Sequence, residues 1–166
     1  QKMGASFRFL SAPLLVKDEA VAQALRSEWI NQETLTMAAQ AEVAVIGIGT
    51  PQPEYSSLLR AGYLSSRDLE ALIADGVVGD IVAHHFDAQG RVLDVGANRR
   101  SISLDADSIR KIPKVIAVSG GAVKARAILA GLHGRFFNCL VTDAKTAQLV
   151  LDLAASSSQG SQSARA

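Results

Sequence analysis

Twice in this chain an apolar run without polar alternation stops at glycine: Val43-Ala44-Val45-Ile46-Gly47-Ile48-Gly49 and Val115-Ile116-Ala117-Val118-Ser119-Gly120-Gly121. A strand that is apolar on both faces is stable only where helices cover the sheet, which is the setting of a parallel sheet. Helical patterns lie between these runs, and a third apolar run follows at Phe137 to Val141. Strands alternating with helices place the chain in the α/β class. The expected form is a Rossmann-like three-layer sandwich with a mostly parallel sheet and a short antiparallel hairpin. With 166 residues, 48% hydrophobic and 20% charged, the chain can build one globular domain with its own core.

Local signals set the remaining elements. Phe7, Phe9 and Leu10 read as a short strand closed by Pro13, and Leu14 to Val16 as a second short apolar run. Asp18 reads as the cap of a helix over Glu19 to Arg26. Asn31 reads as the cap of another reaching Gln40, with Leu35, Ala38 and Ala39 as its buried stripe. Helical segments follow over Glu54 to Ala61 and Ser65 to Ala74, the second capped by Ser65 or Ser66 with Asp68 in its first turn. Ile81-Val82-Ala83 reads as a strand, Asp87 to Gly90 as a tight turn, and Arg91 to Leu93 as a segment pairing back antiparallel. Arg100 to Leu104 reads as a further short strand and Asp105 to Ile109 as one or two helical turns. A helix is expected over Ala122 to Leu132, and a last one, capped by Asp143, over Ala144 to Ala154. The domain thus spans 1–154, and the Ser/Gln/Gly-rich residues 155–166 read as a disordered tail.

Composition excludes several functions. Net charge is +1 with no basic stripe, so nucleic acid is not an expected direct partner of this piece. The single cysteine, Cys139, lies in an apolar run and reads as a small buried hydrophobe. No apolar run nears the ~20 residues of a membrane span, and no signal-peptide layout is present, so a cytoplasmic location is expected. His84 and His85 are strand neighbours pointing to opposite faces, and His133 is distant; no metal centre is expected. No cofactor motif appears either. Gly47-Ile48-Gly49 has Gln52 where the third glycine of a dinucleotide fingerprint would fall.

In parallel α/β sheets ligands bind beyond the carboxyl ends of the strands. Three such ends are glycine-marked and polar: Gly47 to Thr50, Gly79-Asp80, and Ser119 to Lys124; Thr142-Asp143 is a fourth. A phosphate after Gly120-Gly121 would meet both backbone amides and the Lys124 ammonium. Lys124 could alternatively form a Schiff base with an open-chain sugar aldehyde. Asp80 could accept hydrogen bonds from sugar hydroxyls, or serve only as a turn residue. Arg99 and Arg100 could clamp a phosphate, or be an exposed pair.

These residues carry a family likeness. Val118-Ser119-Gly120-Gly121-Ala122-Val123-Lys124-Ala125, Leu140-Val141-Thr142-Asp143, Val45-Ile46-Gly47-Ile48-Gly49 and Val78-Gly79-Asp80 with Phe86-Asp87 resemble the C-terminal effector domain of SorC-type bacterial transcriptional regulators. The likeness runs from about Phe7 to Leu151. It implies a fold similar to ribose-5-phosphate isomerase and glucosamine-6-phosphate deaminase, used for sensing rather than catalysis. By the resemblance, a phosphorylated sugar or polyol would meet Lys124, Asp80, Arg100 and the loops Gly47, Gly49, Thr50 and Ser119, Gly120, Gly121. It further implies a homodimer or homotetramer. Operator DNA would be contacted through an N-terminal helix-turn-helix that this chain lacks, together with the first part of the effector domain. The alternative is a sugar-phosphate isomerase or deaminase using Asp80 or Lys124 as acid–base groups; a third reading is an oligomerisation domain. Against the enzyme, no compact pair of general base and acid is readable.

Overall fold

The computed structural model describes residues 4–163. Its main sheet is parallel, with β1 (Val43–Gly47), β4 (Lys114–Val118) and β5 (Cys139–Val141) in the order β1-β4-β5. The two glycine-stopped runs lie side by side, Gly47 opposite Val118, so their turns leave the sheet together. A separate antiparallel pair, β2 (Gly79–Ile81) and β3 (His84–Phe86), is the expected hairpin.

The helices are α1 (Glu19–Ser27), α2 (Trp29–Ala39), α3 (Ser57–Arg60), α4 (Ser66–Ala74), α5 (Gly96–Arg99), α6 (Ala106–Lys111), α7 (Ala125–His133) and α8 (Ala144–Ser163). Asp18 caps α1 as expected, accepting from the amides of Ala20 and Val21. Ser65 and Asp68 close a capping box on α4. The main core joins Ile46 and Ile48 with Val115, Ala117, Ile128 and Phe136, and a second cluster around Leu69, Leu72 and Leu15 lies beneath α4. On the other face of the sheet Val43, Val45, Val118 and Val141 are exposed.

Several local expectations change. The strand read over Ile81 to Ala83 is broken by a turn at Val82 and Ala83, both at positive φ (47° and 63°). Ile81 and Ala83 are both buried, so packing rather than glycine chemistry sets this turn. Arg91 to Leu93 does pair back, through the bridge Phe86–Val92 and Leu93 N–H to His85 O, without forming a ladder. Likewise Arg100 to Leu104 contributes one bridge, Ser101 to Leu15. Asn31 is not a cap: α2 starts earlier, and Asn31 is buried, accepting from Ser11 N–H and donating to Leu25 O. Phe7 and Phe9 form no strand; their exposed rings meet tilted at 56°, with centroids 4.8 Å apart. The helix from Glu54 shrinks to α3, whose cap is Ser56. The last helix, α8, passes Ala154 and continues to Ser163, meeting no proline; residues 164–166 of the expected tail lie outside the described residues. Among the described residues no helix is long and apolar enough to cross a membrane.

Candidate functional site

The site begins where β1 ends. Gly49 and Asp80 form an antiparallel bridge, Gly49 N–H donating to Asp80 O at 2.8 Å. A Cβ on residue 49 would lie 1.9 Å from Asp80 Oδ1, so only glycine lets the carboxylate rest here. Burial pushes the Asp80 carboxyl above its ordinary range, while the charges of His85 and then Lys124 oppose that rise.

Lys124 is delivered by the turn after β4. Gly121 adopts φ +98°, and a 3-10 turn over Ala122–Lys124 leads into α7, with Lys124 N–H donating to Gly121 O at 2.9 Å. Gly121 N–H is committed inside the protein, to Thr146 Oγ1 at 2.8 Å and Asp143 Oδ2 at 3.1 Å. Gly120 lies close against the same carboxylate, where a Cβ would fall 2.8 Å from Oδ2. The Thr146 hydroxyl, the Thr146 amide and the Gly121 amide together hold Asp143 down at about 2. An internal carboxylate therefore occupies this amide turn, as the cap of α8. Ser119 ties the two strand ends together, its hydroxyl donating to Ile48 O at 3.4 Å.

Asp80, Lys124, Gly47 and Gly49 meet in one cavity of about 380 Å³, walled by Val45, Ile48, Leu58 and Ala83. An apolar-walled cleft with one acid and one ammonium suits a small ligand that carries both hydroxyls and an anionic group. Thr50 faces a neighbouring cavity with Gln52 and Arg126. Arg100 points elsewhere, donating to Gly96 O and Val16 O, and Arg99 pairs with Asp94 and Glu19. A larger groove, about 590 Å³, runs past Arg91, Arg110 and His133. Arg110 there is spent on Gly134 O, Asp107 and the Phe136 ring, which leaves the groove without a free convergent charge from that residue. Among the described residues no group of three or more His, Cys, Asp or Glu is arranged to hold a metal.

Sequence reasoning missed the partners of Asp80. His85 stands opposite it across the hairpin and is buried, bound to Asn98. The only sequence signal was a polar pair in an apolar strand, His84-His85.

The model of the Sugar-bind family, a sugar-binding domain, matches residues 1–152. Transcriptional regulator LsrR of Enterobacter sp. (strain 638) is 37% identical over 151 residues, 90% of this chain and 47% of the relative. The deoxyribonucleoside regulator of Bacillus subtilis is 31% identical over 147 residues, 88% of this chain and 46% of the relative. The chain thus spans about half the length of the curated relatives it matches. Among solved structures, a DeoR family transcriptional regulator from Listeria monocytogenes superposes with a TM-score of 0.81 at 29% identity, covering 86% of this chain and 57% of that one. The sorbitol operon regulator SorC from Klebsiella pneumoniae gives 0.77 at 29% identity, covering 84% and 45%.

Proposed function

This chain belongs to the Sugar-bind family of sugar-binding domains, and on that premise we propose that it senses a phosphorylated sugar or polyol for a transcriptional regulator of sugar catabolism. The observation that carries this reading is the convergence of Asp80 and Lys124 on one apolar-walled cavity at the carboxyl ends of β1 and β4. Lys124 supplies the charge for the phosphate, and Asp80 accepts hydrogen bonds from hydroxyls. Because Gly121 N–H is already bonded to Asp143 and Thr146, capture of the anion rests on Lys124 rather than on that amide. The relatives matched are regulators and not enzymes, which favours sensing over an isomerase or deaminase reaction. Ligand binding alters the assembly of a homodimer or homotetramer in the cytoplasm, and with it the affinity of a helix-turn-helix for operator DNA. Ligand energy reaches DNA only through its different affinity for the two states.

The test uses the full-length regulator. Operator affinity is measured by fluorescence anisotropy with and without glucose 6-phosphate, sorbitol 6-phosphate, ribose 5-phosphate and glycerol 3-phosphate, with product analysis of each mixture. The expected result is one compound that changes operator affinity by about 5- to 150-fold, the usual size of a coupling between sites, and is recovered unchanged. Steady conversion of any compound, or the same operator affinity with all of them, contradicts the proposal.

A further inference from the structure

A second cavity lies back to back with the one that holds Asp80 and Lys124. Gly49 and Lys124 line the first; Thr50 and Val123, their neighbours in sequence, line the second, together with Gln52 and Arg126. It encloses about 360 Å³, within the span of small-molecule pockets. The loops that follow β1 and β4 thus wall both spaces, at the end of a parallel sheet where ligands gather.

Arg126 has no partner within its own helix. Three and four positions away on either side stand Ala122, Val123, Leu129 and Ala130, none with a side-chain acceptor. Arg8, Arg91, Arg99 and Arg110 each pair with a carboxylate, and Arg26 and Arg100 each reach a backbone carbonyl. Among the described residues Arg126 makes neither kind of bond, so its planar fork of donors lines the cavity unspent. An exposed arginine is ordinarily just solvated, and Arg126 is exposed. What distinguishes its setting is Thr50, which lines the same cavity and is 3% exposed. The Thr50 hydroxyl accepts from Gln52 N–H at 3.4 Å, while its own hydrogen meets no acceptor among the described residues. A buried hydroxyl with an idle donor is costly unless something in the cavity accepts from it.

The other walls include Pro51, Ile73, Val77, Val78 and Ala88, all apolar, and among the described residues no carboxylate lines the space. Its neighbour differs on this point, since Asp80 there offers an acceptor to hydroxyls. Idle donors, apolar walls and the lack of an acid suit a ligand unlike a sugar. We infer that this cavity is a second ligand site, which takes a small organic anion with an apolar body. The Arg126 guanidinium and the Thr50 hydroxyl hold the anionic group, and Ile73, Val77 and Val78 cover the body. Neither Asp80 nor Lys124 takes part, so the inference stands apart from the proposed effector site.

The test uses the ¹⁵N-labelled 166-residue chain. Backbone amide spectra are recorded while phenyl phosphate or benzoate is added, with inorganic phosphate as the comparison. At least one of the two aryl anions is expected to move the amides of Gln52, Val77, Val123 and Arg126. The expected Kd is on the order of a millimolar, the strength of one charge-assisted contact with a partly covered ring. Inorganic phosphate, with no body to bury, is expected to bind about tenfold more weakly. Arg126→Ala, at an exposed position that the fold does not depend on, is expected to weaken the aryl anion about tenfold. Thr50→Val removes the idle donor at nearly constant shape and is expected to weaken binding about threefold, with Thr50→Ser restoring it. No response to either aryl anion overturns the inference. So does equal affinity for inorganic phosphate, or unchanged affinity in a folded Arg126→Ala. Perturbations centred on Gly47, Asp80 and Lys124, or on Gln89, Leu129 and His133 on the far side of Arg126, likewise overturn it. None of these outcomes bears on sugar-phosphate binding beside Asp80, so the two proposals fail separately.

Discussion

Gly90→Ala is expected to destabilise the chain by about 2–4 kcal/mol, the sum of a left-handed backbone on a residue with a Cβ and a clash inside a packed contact. Gly90 sits at φ +73°, and a Cβ there would lie 2.1 Å from Gly134 N and 2.4 Å from Ala130 O. Both obstacles are backbone at the end of α7, so no side chain can swing aside. The loss is a large fraction of the ~5–15 kcal/mol that holds an ordinary domain together. Urea unfolding checks it, with Gly62→Ala as the comparison. Gly62 has nearly the same φ, +74°, but nothing within 4 Å of its Cβ position. It should therefore lose only the backbone part, about 1–2 kcal/mol. Equal losses at the two positions would mean that the close approach of the Asp87 to Gly90 turn to α7 is not what holds it.

Lys124→Ala is expected to weaken binding of a phosphorylated sugar about 10- to 100-fold, the range for losing a charge-assisted hydrogen bond to a phosphate. Lys124 brings the ammonium that the cavity offers beside Asp80, and the Gly121 amide is already occupied by Asp143 and Thr146. Isothermal titration with glucose 6-phosphate measures the loss directly. Arg100→Ala is the instructive companion. The family resemblance assigns Arg100 to the ligand, yet its guanidinium is bonded to Gly96 O and Val16 O, away from the cavity. Affinity should survive that change within about twofold, since uncoupled sites act independently. A tenfold loss from Arg100→Ala with none from Lys124→Ala would reverse the assignment.

How much was readable in the sequence depends on the range over which each signal acts. Continuous apolar runs ending in glycine announced a parallel sheet, and β1 and β4 emerged adjacent and parallel, although one face of that sheet leaves Val43, Val45, Val118 and Val141 exposed. Caps act over three residues, so Asp18, Ser65 and Asp143 were legible one by one. Asn31 looked the same in sequence but folds into the interior, because its amide is needed to satisfy Ser11 N–H and Leu25 O, partners on other segments. The Val82-Ala83 turn carried no glycine or asparagine to announce it. At the site, the topology brings Asp80, within β2, to Lys124, in the turn after β4, and a strand–glycine–helix reading reaches Lys124. The competition for Gly121 N–H was not legible, since Asp143 and Thr146 arrive from the next strand–helix unit. Nor was the Asp80–His85–Asn98 set, which depends on hairpin register and on α5.

Chemical-shift mapping asks the molecule itself where the effector sits. Backbone amide spectra of the ¹⁵N-labelled chain are recorded while a phosphorylated sugar that binds the full-length regulator is added. Perturbations are expected to centre on Gly47, Gly49, Asp80 and Lys124, the residues lining the cavity at the ends of β1 and β4. Perturbations centred instead on Arg91, Arg110 and His133, along the larger groove, would contradict the assignment of that cavity as the effector site.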